Sequence, residues 1–138
     1  MPNFADLEVG QVVAQKSYQV TRDSLVRYAG ASGDFNTIHY RDDIAQSVGL
    51  PGVLAHGMLT MGISVQPVVE WAGDAAKVMD YGVRFTKPVV VPPHGHAELN
   101  VKATIAQLDE ENQKVRIDLT TSFEETTVLG KAQVWVQL

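Results

Sequence analysis

The second half of the chain alternates between apolar and polar residues, with the two-residue period of a β-strand. Between positions 97 and 108, the apolar residues Leu99, Val101, Ala103 and Ile105 are separated by polar or small ones. Residues 115–123 repeat this alternation after the polar turn at 109–112. The same reasoning predicts further strands over residues 12–20, 77–85 and 126–136.

The first half of the chain predicts helices instead. Thr21 is a favourable N-cap for a helix that starts an apolar stripe shortly afterwards. Gly30 and Gly33 are expected to interrupt this helix, because glycine weakens helices. A second, short helix is predicted over residues 42–48, with Gly49 as its stop signal.

A third helix is predicted from the uncharged segment at residues 57–69, GMLTMGISVQPVV. A helix that is apolar on nearly every face is expected to be buried on nearly every face. The segment is too short to span a bilayer, which needs about 20 apolar residues, so we predict a core helix and no membrane span. Pro67 is expected to kink this helix or to end its regular part.

The order of these elements, helices first and strands later, is the α+β pattern. An antiparallel sheet of such strands has one apolar face that needs a cover, and the uncharged helix is the obvious candidate. A sheet curled around one long central helix is the hotdog fold. We therefore predict a single hotdog domain over residues 1–138.

Composition excludes several classes of protein. The chain has no cysteine, which rules out disulfides, thiolate metal sites and a cysteine nucleophile. Its formal net charge of −5 argues against nucleic-acid binding, which needs clustered lysine and arginine. The first residues, MPNFAD, lack the basic and apolar regions of a signal peptide, so we expect a cytoplasmic protein.

Asp34 and His39 are the first candidates for chemistry. On a regular helix, residues five apart would lie about 140° apart in azimuth and could not converge. Gly33 and Asn36 favour a bend, which can bring a carboxylate and an imidazole together as an acid/base unit. The alternative interpretation is structural: Asp34 and Asn36 cap a turn, and His39 is a surface histidine.

The second candidate is the start of the uncharged helix, at His56 and Gly57. A helix N-terminus presents unpaired N–H groups and a partial positive charge. Because Gly57 has no side chain, a ligand oxygen could approach these groups and find an oxyanion hole there. The alternative is that Gly57 is small for tight packing and that His56 caps the helix.

These segments resemble the MaoC-like, or R-specific enoyl hydratase, family. The stretch from Tyr28 to Ala45, which includes SGDFNTIH, is similar to the hydratase motif of that family. The runs AHGML at 55–59 and RFTKPV at 84–89 are similar as well, and the likeness covers nearly the whole chain. The run 55–63 is especially similar to the catalytic B-type subunits of mycobacterial-type (3R)-hydroxyacyl-ACP dehydratases.

The resemblance implies a reaction and roles. It implies reversible conversion of a (3R)-3-hydroxyacyl thioester into a trans-2-enoyl thioester and water, as in fatty-acid or mycolic-acid metabolism. Asp34 and His39 would handle the water and its protons, and the Gly57 N–H would hold the thioester oxygen. Asn36 would orient the loop and His56 would support it. No cofactor and no metal are required for this chemistry.

The resemblance also implies partners and leaves alternatives open. The substrate would be an acyl-CoA or an acyl-ACP, and the domain would form a homodimer or a heterodimer with a related hotdog subunit. The family usually has proline where this chain has Thr37, which could loosen the loop. Two other hypotheses are a hotdog thioesterase and a noncatalytic acyl-binding subunit of a dehydratase heterodimer. The central helix has no acid before Glu70, which counts against the thioesterase.

Overall fold

A computed structural model, which describes residues 1–138, contains one six-stranded antiparallel sheet. Five long strands lie in the order β1-β3-β4-β6-β2, and the two-residue β5 pairs with β4. The strands are β1 Val12–Val20, β2 Val78–Phe85, β3 Ala97–Asp109, β4 Lys114–Phe123, β5 Thr126–Thr127 and β6 Leu129–Gln137. The predicted final strand is thus divided in two around Val128.

Three helices accompany the sheet: α1 Arg22–Ser32, α2 Asp42–Ser47 and α3 Gly57–Ala72. Short 3-10 turns occupy Phe4–Asp6, Thr37–His39 and Ala75–Lys77. The long helix α3 packs against the apolar face of the sheet and contacts all five long strands. The predicted hotdog arrangement, an antiparallel sheet wrapped around a central helix, is confirmed. No helix has the length and apolar character needed to cross a bilayer.

The core explains why the alternation in β3 was informative. Ala97, Leu99, Val101, Ala103 and Ile105 are each at most 1% exposed. Their side chains lie on one face of the strand because successive residues point to opposite faces. They belong to a cluster of 21 buried apolar residues between the sheet and α3.

Helix α1 begins as predicted but ends later. The Ser24 backbone N–H donates a hydrogen bond of 3.2 Å to the Thr21 side chain, which is the expected N-cap. Gly30 does not interrupt the helix, because a single exposed glycine costs only about 1 kcal/mol against alanine. Gly33 ends α1 in a left-handed conformation with φ of 77°, and its N–H donates to the Ala29 carbonyl.

Helix α3 differs from the prediction in two ways. It continues past Pro67 to Ala72, and Gly73 ends it with φ of 76°. It is also not buried on nearly every face: Met58, Gly62, Gln66 and Glu70 are exposed. These four residues recur every fourth position and therefore form one stripe that this chain leaves open to solvent.

Candidate active site

The loop between α1 and α2 is built by its own polar side chains. The left-handed Gly33 turns the chain out of α1. The Asn36 backbone N–H then donates to Asp34 Oδ1 at 3.1 Å, and the Ile38 N–H donates to Asn36 Oδ1 at 3.2 Å. These bonds bend the chain into the 3-10 turn Thr37–His39. The turn-capping interpretation of Asp34 and Asn36 therefore holds, and it accounts for one oxygen of each side chain.

The same bend brings the two candidate acid/base groups together. Asp34 Oδ2 and His39 Nε2 are 3.9 Å apart, too far for a direct hydrogen bond. One oxygen atom placed about 2.8 Å from each would fit between them. The Asp34 side chain is 50% exposed and that of His39 only 11%. The pair can thus hold a hydroxyl or a water between a solvated carboxylate and a shielded imidazole.

The tautomer of His39 follows from its other nitrogen. His39 Nδ1 lies 2.8 Å from the backbone carbonyl of Leu54. A carbonyl oxygen only accepts hydrogen bonds, so Nδ1 carries the proton. In the Nδ1-protonated tautomer, the ring presents a bare lone pair at Nε2, toward Asp34. That arrangement is the one a general base requires.

His56 supports the loop through its contacts with Asp34 and His39. It is 1% exposed, and its Nε2 donates to the Asp34 carbonyl oxygen at 3.2 Å. Its ring stacks on His39 with centroids 3.9 Å apart, and Tyr28 packs edge-on at 4.7 Å. Burial lowers the pKa of His56 below its usual value, so the ring is held neutral. A neutral ring stacks on His39 without repelling an imidazolium that forms there.

Asp34, His39 and His56 could in principle be metal ligands, since one ligand atom of each lies within 4.8 Å of the others. His39 Nδ1 and His56 Nε2 are bonded to backbone carbonyls, which leaves His39 Nε2, His56 Nδ1 and Asp34 Oδ2 as the free atoms of this cluster. A histidine that ligates a metal usually donates its other N–H to such a carbonyl, so these bonds suit a metal ligand and a general base equally.

A cavity of about 300 Å³ adjoins this pair. His39 and Gly57 both line it, together with apolar side chains that include Leu54, Val89 and Leu129. The volume lies at the lower end of the range for small-molecule sites. Asp34 is not among the lining residues, but its carboxylate lies 3.9 Å from His39 Nε2.

The N-terminus of α3 faces this cavity through Gly57. His56 is the N-cap residue, but its side chain makes no capping hydrogen bond. The Gly57 N–H has no acceptor in the protein either, so it is free to bind a ligand oxygen. The ring of Phe85 lies against Gly57, and a Cβ added there would come within 3.0 Å of it. Close packing and access to the amide are therefore both reasons for a glycine.

His39 and the free Gly57 N–H thus lie on one cavity, and the Asp34 carboxylate lies beside His39. A model of the MaoC-like domain matches residues 4–123. The chain belongs to the MaoC-like family. The matched residues include the loop and the helix start described above.

Two curated relatives and one solved structure illustrate the likeness. A 3-hydroxybutyryl-CoA dehydratase of Methylorubrum extorquens is 30% identical over 135 residues, which cover 96% of this chain and 83% of that protein. The 3-hydroxyacyl-thioester dehydratase X of Mycobacterium tuberculosis is 38% identical over 74 residues, which cover 54% of this chain and 25% of that protein. A solved MaoC-like dehydratase is 34% identical with a TM-score of 0.96, covering 99% of this chain and 42% of that one. The MaoC-like chain thus spans less than half the length of the last two.

Three residues that contribute to the site were assigned no role from the sequence. Leu54 acts through its backbone carbonyl, which no side-chain pattern reveals. Tyr28 and Phe85 were noted in the motifs, but their contacts with His56 and Gly57 join residues far apart in the chain. Only the resemblance of their segments to a family motif pointed to them.

Proposed function

We propose that this MaoC-like domain catalyses the reversible dehydration of (3R)-3-hydroxyacyl thioesters to trans-2-enoyl thioesters. The observation that carries the proposal is the position of His39 Nε2, 3.9 Å from Asp34 Oδ2 and on the same cavity as Gly57. The relatives named dehydratases support the same class of substrate.

In the dehydration direction, His39 Nε2 takes the proton from C2 of the substrate. The electron pair moves toward the thioester carbonyl, whose oxygen accepts a hydrogen bond from the Gly57 N–H. The C3–O bond then breaks, and the His39 imidazolium returns the proton to the departing hydroxyl, which leaves as water. Asp34 accepts a hydrogen bond from that hydroxyl and stabilises the imidazolium. Hydration follows the reverse course, and no proton is gained or lost overall.

The thioesterase alternative has less support. The only acid on α3 is Glu70, which lies in the last turn and pairs with Lys16 of β1. It is therefore at the opposite end of the helix from Gly57 and cannot serve as a base in the cavity.

One assay separates the candidate functions. Purified protein is incubated with crotonyl-CoA and with a longer enoyl-CoA, and both the enoyl absorbance and the free thiol are followed. Loss of absorbance without thiol is expected, whereas release of thiol would indicate a thioesterase. The reverse reaction with (R)- and (S)-3-hydroxyacyl-CoA tests the stereospecificity at C3, and activity with the (S) form alone would contradict the proposal. Parallel reactions with acyl-ACP identify the preferred carrier.

We propose that the domain works as a pair of hotdog subunits in the cytoplasm. Met79 and Phe85 on the edge strand β2 are 58% and 55% exposed, and Met58 on the open stripe of α3 is 57% exposed. Apolar side chains on an unpaired sheet edge favour a partner there, because an edge strand offers free backbone groups for pairing. Light scattering of the purified chain distinguishes a homodimer from a monomer that needs a related subunit.

A further inference from the structure

An ion pair joins the first residues of α1 and α2, and so closes the segment that carries Asp34 and His39. The guanidinium of Arg22 donates two hydrogen bonds to the Asp42 carboxylate, from Nη1 to Oδ2 at 3.0 Å and from Nη2 to Oδ1 at 2.7 Å. This paired geometry is the strongest form of an arginine–carboxylate contact. The Arg22 guanidinium also holds the pKa of Asp42 below its usual value, so the pair stays ionised at neutral pH.

The pair extends beyond the two helices. Arg22 Nε donates to the Val91 carbonyl at 2.8 Å, and the Val53 N–H donates to Asp42 Oδ1 at 3.2 Å. Val53 is fully buried and directly precedes Leu54, whose carbonyl accepts from His39 Nδ1. A chain of hydrogen bonds therefore runs from Arg22 through Asp42 and the 53–54 segment to the imidazole.

We propose that Arg22 and Asp42 are positioning residues that hold the Leu54 carbonyl in place and thereby fix the tautomer and orientation of His39. The inference rests on the proposed function for its catalytic consequence, but its structural part stands independently of the substrate. Neither residue lines the cavity, so both act through His39 and not on the reacting atoms.

The adjacent ion pair is a matched control. Arg41 and Asp43 also form a two-bond pair, with Arg41 Nε donating to Asp43 Oδ1 at 3.0 Å. Both side chains are more than half exposed, and the Asp43 carboxylate makes no hydrogen bond to the 53–54 segment. Asp42 and Asp43 both lie in the first turn of α2, so their replacement changes the charge near its N-terminus equally.

The test compares Asp42→Ala with Asp43→Ala. We expect Asp42→Ala to lower kcat for crotonyl-CoA hydration by about 10- to 100-fold, the scale of a small misplacement of a catalytic group. KM should change little, because the cavity wall is untouched, and Asp43→Ala should stay close to wild type. Equal kcat values for the two variants, or a change in KM alone, would overturn the proposal.

A second measurement reads the tautomer of His39 directly. In nitrogen-15 NMR spectra of the labelled protein, the wild type should show His39 protonated at Nδ1. Asp42→Ala should shift His39 toward the other tautomer, and an unchanged spectrum would contradict the inference. If Asp42→Ala fails to fold, Arg22→Lys takes its place, because lysine keeps the charge and loses the paired geometry. If the wild type lacks hydratase activity, the proposed function fails while this spectrum still decides the positioning role.

Discussion

Replacing Asp34 by asparagine separates the charge of the site from the structure of its loop. An asparagine side chain still offers an oxygen to the Asn36 N–H, so the bend should persist. Its NH2 group would then face His39 Nε2, where the carboxylate oxygen now lies 3.9 Å away. The variant thus replaces an acceptor with a donor and removes the negative charge beside the imidazole.

The size of the effect follows from this distance. Two unit charges 4 Å apart attract by about 1 kcal/mol in water and about 4 kcal/mol at an effective dielectric constant of 20. Because Asp34 is half exposed, the stabilisation of a His39 imidazolium lies between these limits, which correspond to about fivefold and 10³-fold in rate. Asp34 also accepts a hydrogen bond from the water or hydroxyl, and the loss of this bond adds to the electrostatic loss. We therefore expect kcat to fall by about 10² to 10⁴, the scale of an acid/base group. The free energy of unfolding should change by less than about 0.5 kcal/mol.

The measurement is steady-state hydration of crotonyl-CoA by wild type, Asp34→Asn, His39→Ala and the double variant. His39→Ala should lower kcat by about 10² to 10⁴ as well. If the two residues act as one unit, the double variant is about as slow as the worse single variant. Multiplying losses would mean that they act independently, and near-normal rates in both single variants would refute the mechanism.

Three further predictions concern the residues around this pair. Gly57→Ala should lower kcat/KM by about tenfold or more in the same assay, because its Cβ would come within 3.0 Å of the Phe85 ring, which must shift and which also lines the cavity. Burial lowers the pKa of His56, so between the two pKa values the unfolded chain binds a proton that the folded chain does not. In urea melts the free energy of unfolding should therefore fall as the pH drops below about 6.5. His56→Gln should make this pH dependence weaker. Thr121→Val removes the donor to the buried Ser64 hydroxyl and should cost about 0.5–1.5 kcal/mol in the same melts, with kcat unchanged.

The strands were predictable because their signal is local. Alternation along β3 and β4 needs only the knowledge that one face of a sheet is buried, and both strands lie within two residues of their predicted bounds. The division at Val128 was not visible, because β5 and β6 both pair with β4 and the strand is interrupted only at this residue.

The errors on the helices have tertiary causes. Pro67 was expected to kink α3 or to end its regular part; the second alternative is wrong, because burial of Val68 and Ala72 beyond it keeps α3 helical to Ala72. The open stripe of α3 follows its least apolar row, since Gly62, Gln66 and Glu70 lie four residues apart; the lack of charge over residues 57–69 concealed this pattern. Sequence hydrophobicity reports what must be buried somewhere, including against a partner.

The candidate site was predictable as a set of residues but not as a geometry. Gly33 and Asn36 suggested a bend, and the bend brings Asp34 to His39. What selects the useful nitrogen of His39 is the Leu54 carbonyl, and what holds that carbonyl includes Asp42. Such contacts join segments more than ten residues apart, so no local pattern contains them.

The segments that carry the proton-transfer groups differ from those that supply other lining residues of the cavity, and this difference bears on acyl-chain preference. The acid/base loop and the amide end of α3 are tied together by His56, which bonds to the Asp34 carbonyl and precedes Gly57 in the chain. Other lining residues of the cavity come from other segments, among them Val89 and Leu129. Changes in these wall residues can therefore lengthen or shorten the cavity without moving His39 relative to Gly57. We expect chain-length preference and proton-transfer chemistry to respond to separate sets of substitutions for this reason.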